Sequence, residues 1–70
     1  MTDESAVAGF PALLRARRHT MMLTQTELAT RVGTTLRTIQ RWETGQRFPT
    51  PRYRRALCEA LGVGYADLFE

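Results

Sequence analysis

Apolar residues recur along this chain at helical spacing, and the first such pattern predicts a helix that starts near Pro11. Proline suits the first turn of a helix, where its missing N–H has no intrahelical partner in any case. One side of this helix carries four apolar residues, which are Phe10, Leu13, Leu14 and Met21. Arg15 and Ala16 fall on the opposite side. The pattern therefore predicts an amphipathic helix, with Arg17 near the edge of its apolar side.

A second helix is predicted to begin after Thr24. The spacing Thr24-x-x-Glu27 is typical of a capping box, in which hydroxyl and carboxylate each satisfy one free backbone N–H group. The apolar residues that follow form one face, made of Leu28, Ala29 and Val32. Gly33 then suits the left-handed conformation that ends many helices.

A third helix is predicted from Thr35, its expected N-cap, to about Thr44, with Gly45 ending it. Only Thr34 and Thr35 separate it from the second helix, so the two helices must cross steeply. Steps of ~100° per residue divide this third helix into two arcs. The inward arc holds Thr38, Ile39, Trp42 and Glu43. The outward arc holds Leu36, Arg37, Gln40, Arg41 and Thr44.

The remaining pattern completes an all-α, compact five-helix domain over residues 9–70. Thr50 and Pro51 open a fourth helix, which Gly62 ends after Leu61. Its inward face is expected to contain Leu57, Cys58 and Leu61. A last turn from Tyr65 to Phe69 is expected to close the core. Residues 1–8 are small, polar or acidic without periodicity, and we expect a disordered acidic tail there.

Charge along the chain changes the picture, because all ten basic residues are arginines and all lie between Arg15 and Arg55. That segment contains only two acids, Glu27 and Glu43, so ten arginines against two carboxylates give it a formal charge of +8. The other five acids lie towards the two ends. A basic centre between acidic ends is typical of a protein that binds a polyanion, although a solvated basic surface would give the same count.

Several function classes find no support in the sequence. No run of ~18 apolar residues predicts a membrane span, and the N-terminal residues lack the pattern of a secretory signal. A single cysteine, Cys58, and a single histidine, His19, offer neither a nucleophile–base pair nor a metal site. We therefore expect a cytoplasmic protein that is not an enzyme and carries no metal or cofactor.

The order of these features resembles the Cro and phage-repressor type of helix-turn-helix domain, the lambda-repressor-like or xenobiotic-response-element family. The resemblance covers about residues 10–69 and rests on several short motifs together. These are Leu14…Arg18, Thr24-Gln25-x-Glu27-Leu28-Ala29, Val32-Gly33-Thr34, Ile39-x-x-Trp42-Glu43-x-Gly45, Pro49, and Leu61-Gly62-Val63.

The resemblance implies roles for individual residues. By this resemblance, the third helix, about residues 35–44, is expected to be a recognition helix that enters the DNA major groove. Base contacts are expected from Thr35, Leu36, Arg37, Gln40 and Arg41. Phosphate contacts are expected from Gln25, Thr44, Arg47 and Arg52, with backbone N–H groups of the loop at residues 45–49 beside them. Arg18 and Glu43 match a pair that forms a salt bridge between the first and third helices.

Two positions depart from the family pattern. Leu36 stands where the family often has a polar residue, and leucine can cover a thymine methyl but cannot hydrogen-bond a base. Arg54 stands near the start of the fourth helix where an apolar residue is common. We expect Tyr53 to supply that packing and Arg54 to face outward.

Two functions of different classes remain open at this point. The first is sequence-specific binding of double-stranded DNA by a small transcriptional regulator. Such regulators bind as two-fold dimers, and a homodimer would use the C-terminal region. The candidates there are Val63, Tyr65, Leu68 and Phe69, which could equally cap the core. The second function is a protein-interaction module, such as an antitoxin-like or adaptor subunit, that uses the same surface for a protein partner.

Overall fold

The computed structural model describes the backbone of residues 3–70 and the side chains of residues 9–70. Residues 3–70 form five helices and no strand, so the prediction of an all-α fold is confirmed. The helices are α1 (Asp3–Thr20), α2 (Gln25–Val32), α3 (Leu36–Thr44), α4 (Pro51–Leu61) and α5 (Tyr65–Phe69).

The ends of α2 and α3 follow the local signals in the sequence. The Glu27 N–H donates to Thr24 Oγ1 over 3.0 Å, and the Thr24 N–H donates to Glu27 Oε1 over 2.8 Å. Thr35 Oγ1 accepts from the Thr38 N–H at the start of α3. Both helices end at a glycine in the left-handed region, with φ of 86° at Gly33 and 82° at Gly45. Side-chain caps and glycine stops thus fix both elements of the helix pair.

The predicted start of the first helix at Pro11 is wrong, because α1 begins at Asp3 and contains Pro11 in its interior. An interior proline removes one i→i−4 hydrogen bond, so sequence alone favours a helix start there. Tertiary packing offsets this, since Pro11 lies against the end of α3, where a Cβ on Gly45 would be 3.6 Å from Pro11 Cγ. Of the expected tail, Met1 and Thr2 lie outside the described residues, and the backbone of residues 3–8 belongs to α1.

The inward face of α1 also differs from the expectation. Phe10, Leu14 and Arg18 are buried, at spacings of four residues, which is one stripe of a helix. Leu13 and Met21 are 41% and 42% exposed instead. Leu13 lies off this stripe, and Met21 follows the end of the helix, where the chain turns towards α2.

One core joins all five helices, and α3 packs against both α1 and α2. Its members include two side chains from α3, Ile39 and Trp42, which are almost fully buried. The other buried apolar residues are Phe10, Leu14, Leu23, Leu28, Ala29, Val32, Leu57, Leu61, Leu68 and Phe69. Full burial of one such aliphatic or aromatic side chain contributes ~1.5–3 kcal/mol. The apolar side of α3 therefore holds it in place, while its other side remains outside.

The start of α4 corrects the expectation for Arg54. Tyr53 does pack against the core, with its ring centroid 5.5 Å from that of Trp42. Arg54, however, does not project freely, because its Nε donates to the Pro49 carbonyl over 2.9 Å. Its guanidinium carbon also lies 5.0 Å from the ring centroid of Phe48. A planar guanidinium can cover an aromatic ring while it keeps its charge near water, which is why arginine serves at this half-buried position.

The two threonine N-caps of α2 and α4 provide a matched test of the capping box. Thr24→Ala should lower the free energy of unfolding by ~1 kcal/mol, because it leaves a helix N–H without its acceptor. Thr50 occupies the N-cap of α4 without a side-chain cap hydrogen bond, so Thr50→Ala should change stability much less. Urea denaturation of both variants measures the difference. Equal losses of stability in the two variants would contradict the assignment of Thr24 as the N-cap whose side chain stabilises its helix.

Candidate nucleic-acid interface

The outward face of α3 carries polar and cationic side chains that the core does not use. Leu36, Arg37, Gln40 and Thr44 are exposed and Arg41 is half-buried, whereas Ile39, Trp42 and Glu43 on the other side are buried. The α3 helix is thus divided into two arcs as its sequence predicts, with Thr38 half-buried at the boundary.

Four of these outward residues meet around an open concavity of about 200 Å³, which Gln46 completes. Its lining residues are Arg37, Gln40, Arg41, Thr44 and Gln46. Two guanidinium groups and two amides give the surface many N–H donors, and no carboxylate lines it. Such a surface can bind anionic or carbonyl oxygen atoms, including those of phosphates and base edges.

The hydroxyl groups at the two ends of α3 already have partners. Thr35 Oγ1 accepts from Thr38 N and lies 3.0 Å from Thr38 Oγ1. Thr44 Oγ1 donates to the Gln40 carbonyl over 2.9 Å. Thr44 would have to break this bond to donate to a phosphate, whereas its oxygen can still accept.

Gln25 bridges the two helices of the motif. Its Nε2 donates to Glu43 Oε1 over 3.0 Å, so one amide hydrogen braces α3. A primary amide has a second N–H donor, which at the half-buried Gln25 remains available for an outside acceptor.

The loop after α3 differs from the expectation that its N–H groups are free for phosphate. The N–H groups of Gln46 and Arg47 donate to the Arg41 carbonyl, over 2.9 and 3.3 Å. The side chain of Arg47 is exposed. Arg52 is exposed at the start of α4, with its guanidinium carbon 5.5 Å from the Tyr53 ring centroid. Cationic side chains, and not the backbone of Gln46 and Arg47, are therefore what this loop region offers to an anion.

The structure brings Arg18 and Glu43 together in a buried ion pair. Arg18 Nε donates to Glu43 Oε2 over 2.6 Å, and its NH2 group donates to Oε1 over 3.0 Å. The remaining NH1 group of Arg18 donates to the Leu23 carbonyl over 2.9 Å. Within residues 9–70 no buried side-chain nitrogen or oxygen lacks a hydrogen-bond partner. The carboxylate is therefore fully compensated, and α1, α2 and α3 meet at it.

Sequence reasoning missed one further contact at the same residue. Arg15 NH1 donates to the backbone carbonyl of Glu43 over 2.6 Å, although the helical wheel placed Arg15 away from the core. No sequence signal distinguishes this arginine from a solvated one, because the contact depends on the reach of a long side chain across to another helix.

Cys58 is half-buried on α4, and its surroundings do not activate the thiol. Burial raises the pKa of the Cys58 thiol, and the nearby carboxylates of Asp67 and Glu59 raise it further, so the thiolate form is disfavoured. Within the described residues no three side chains of histidine, cysteine, aspartate or glutamate are grouped to hold a metal ion. No helix in residues 3–70 has the length and apolar character needed to cross a bilayer.

Comparison with known families agrees with this geometry. A family described as helix-turn-helix domain matches residues 10–69, which is nearly the whole chain. The chain therefore belongs to this helix-turn-helix family, consistent with a DNA-binding domain of the Cro and repressor type. DNA binding and transcription regulation follow from that membership, and the family is typically non-enzymatic. No curated protein and no solved structure matches the chain significantly.

The burial of Glu43 leads to a stability prediction. Glu43→Ala should lower the free energy of unfolding by ~3–5 kcal/mol, because it leaves the Arg18 guanidinium buried without its counter-charge. Arg17→Ala is the control, since Arg17 forms an exposed pair with Asp67 over 3.8 Å. Loss of an exposed pair of that kind costs only ~0–1 kcal/mol. Urea denaturation compares the two, and similar small losses would show that the Glu43 site is effectively solvated.

Proposed function

We propose that this protein is a small transcriptional regulator that binds specific sequences of double-stranded DNA through α3 in the major groove. The observation that supports this most directly is the two-sided character of α3. Its inner side is fixed by Ile39, Trp42 and the buried Glu43, and its outer side presents Arg37, Arg41 and other polar groups. A rigid helix with unpaired cationic donors on its outer side suits the width and chemistry of the major groove.

Phosphate contacts would set the register of the domain on the duplex. We assign them to side chains before, at the end of and after the recognition helix, namely Gln25, Thr44, Arg47 and Arg52. These groups carry no base information, but they fix where α3 enters the groove. Gln25 suits this role because the same amide group that touches Glu43 retains a second N–H donor.

Base contacts would come from Thr35, Leu36, Arg37, Gln40 and Arg41. Arginine can donate two hydrogen bonds to O6 and N7 of guanine, and glutamine can pair in the same way with adenine. Each such pair contributes ~1–3 kcal/mol of discrimination against the wrong base. Leu36, which is 41% exposed beside Arg37, would pack on a thymine methyl group.

A homodimer on two half-sites would increase both affinity and specificity. The C-terminal region supports this role less fully than the sequence suggested, because Leu68 and Phe69 are buried in the core. Tyr65 is 45% exposed and Val63 is half-buried, so these two residues remain as the surface that a second copy could contact.

Selection of bound fragments from random duplex DNA tests the proposed function. A defined consensus is expected, and a palindrome would indicate a dimer. Affinity for the selected site should fall steeply with salt, by ~0.9 log units per log unit of salt for each phosphate contacted. Recovery of no consensus, together with binding that ignores salt, would favour the alternative function of a protein-interaction module.

The two outward arginines should determine base preference. Arg37→Ala and Arg41→Ala should each lose ~1–3 kcal/mol of discrimination at one base pair per half-site, because their bidentate contact is gone. Arg47→Ala is the matched control, since loss of a phosphate contact weakens binding to all sequences about equally. Competition binding with single-base variants of the selected site measures this. If all three variants keep the original ranking of sequences, Arg37 and Arg41 do not read bases.

Leu36 should make binding sensitive to a thymine methyl group. Replacement of one thymine by uracil in the selected site should cost roughly 1 kcal/mol, from the apolar area left uncovered. The same replacement should have little effect on a Leu36→Ala variant, because the partner side chain is already absent. Titration of both proteins with the thymine duplex and the uracil duplex gives the four affinities that this comparison needs. Insensitivity of the unaltered protein at every thymine would exclude this role for Leu36.

A further inference from the structure

One stripe of α1 lies along the end of α3. Pro11, Arg15 and Arg18 are spaced by four and three residues, so they share a side of the helix. Pro11 lies beside Gly45, Arg15 donates to the Glu43 carbonyl, and Arg18 holds the Glu43 carboxylate. Three consecutive contacts from one helix thus converge on the last turn of the recognition helix and the glycine that ends it.

The contact made by Arg15 satisfies a group that the helix itself cannot. The last four carbonyl groups of a helix have no intrahelical donor. In the described part of the chain, the N–H groups of Gly45, Gln46 and Arg47 donate to the Arg41 and Trp42 carbonyls and not to that of Glu43. Arg15 donates to the Glu43 carbonyl instead, over 2.6 Å. A cation at this end of a helix also interacts favourably with the helix dipole.

We propose that Arg15 is a positioning residue for DNA recognition. It fixes the C-terminal end of α3 to α1. It thereby also fixes the position at which the loop of residues 45–49 begins. This loop carries Gln46, which lines the concavity on α3, and the exposed Arg47. The inference rests on the proposed function, because it concerns how the same surface is held in register with the duplex.

Arg15 is itself exposed, so a direct phosphate contact is the competing explanation for any loss of binding. The two roles differ in measurable ways. A phosphate contact contributes ~0.9 to the slope of log affinity against log salt, and a positioning contact contributes nothing to it. A positioning contact, in contrast, stabilises the end of α3 in the free protein, where no DNA is present.

Three single variants of the full chain test the proposal, namely Arg15→Ala, Arg15→Lys and the control Arg17→Ala. The control removes the same charge from the same helix, but Arg17 pairs with Asp67 of α5 and not with α3. The two measurements are affinity for the selected duplex over a range of salt, and amide hydrogen exchange of Gln46 and Arg47 in the free protein.

Arg15→Ala should weaken binding by roughly 5- to 30-fold, with an unchanged salt slope. The Gln46 and Arg47 amides should exchange about tenfold faster, because the turn that their hydrogen bonds close has lost its anchor. Arg15→Lys should recover part of both effects, since an ammonium group can donate to the same carbonyl. Arg17→Ala should leave the exchange of these two amides unchanged.

Two results would overturn the proposal. A salt slope reduced by ~0.9 in Arg15→Ala, with unchanged amide exchange, would identify Arg15 as a phosphate contact. Affinity and exchange both equal to those of the unaltered protein would show that the contact has no role. If the unaltered protein binds no duplex at all, the proposed function itself fails, which is a distinct outcome from either of these.

Discussion

The buried carboxylate of Glu43 is the constraint on which the arrangement of the first three helices depends. It accepts two hydrogen bonds from Arg18 of α1 and one from Gln25 of α2. The Coulomb attraction of a buried pair is largely offset by the cost of removing both charges from water. Its main contribution is therefore geometric, because hydrogen bonds to a fixed carboxylate have narrow limits of distance and angle. Apolar contacts such as those of Ile39 and Trp42 limit rotation of α3 less strictly.

This constraint explains how α3 can be cationic outside without losing its place inside. Arg37 and Arg41 lie four residues apart, and like charges at that spacing cost roughly 0.2–0.5 kcal/mol. Glu43 carries a negative charge on the opposite side of the same helix, but its ion pair with Arg18 neutralises that charge. Glu43 consequently does not neutralise the outward arginines, which stay available for an external anion. The inner side of α3 is thus held by the packing of Ile39 and Trp42 together with the Arg18–Glu43 ion pair, whereas its outer side carries a separate set of charges.

Local chemistry explains which parts of the fold the sequence predicts well. The caps at Thr24 and Thr35 and the glycine stops at Gly33 and Gly45 depend on residues within a few positions, so their signals are complete in the sequence. The expectations for Pro11 and Arg54 fail because each residue has a partner outside its own helix. Pro11 lies against the end of α3, and Arg54 contacts the Pro49 carbonyl and the Phe48 ring. The outward arc of α3 follows from helical periodicity alone. The contact between Arg15 and the Glu43 carbonyl does not, because it requires the packing of α1 on α3.

The structure also changes what the charge of +8 in residues 15–55 means for binding. Arg18 is buried and neutralised, and Arg17 faces Asp67. Arg15 and Arg54 donate to backbone carbonyls, so part of their donor capacity is used internally. Six arginines make no side-chain hydrogen bond or ion pair within residues 9–70, and half of them lie on α3 or just after it. Those three are Arg37, Arg41 and Arg47; the others are Arg31 on α2 and Arg52 and Arg55 on α4. The charge that can meet a duplex is thus smaller than the sequence count, and half of these unpaired arginines lie at α3. Under the proposed function, the total charge would contribute to affinity for any duplex, whereas the arginines placed on α3 would supply the sequence preference.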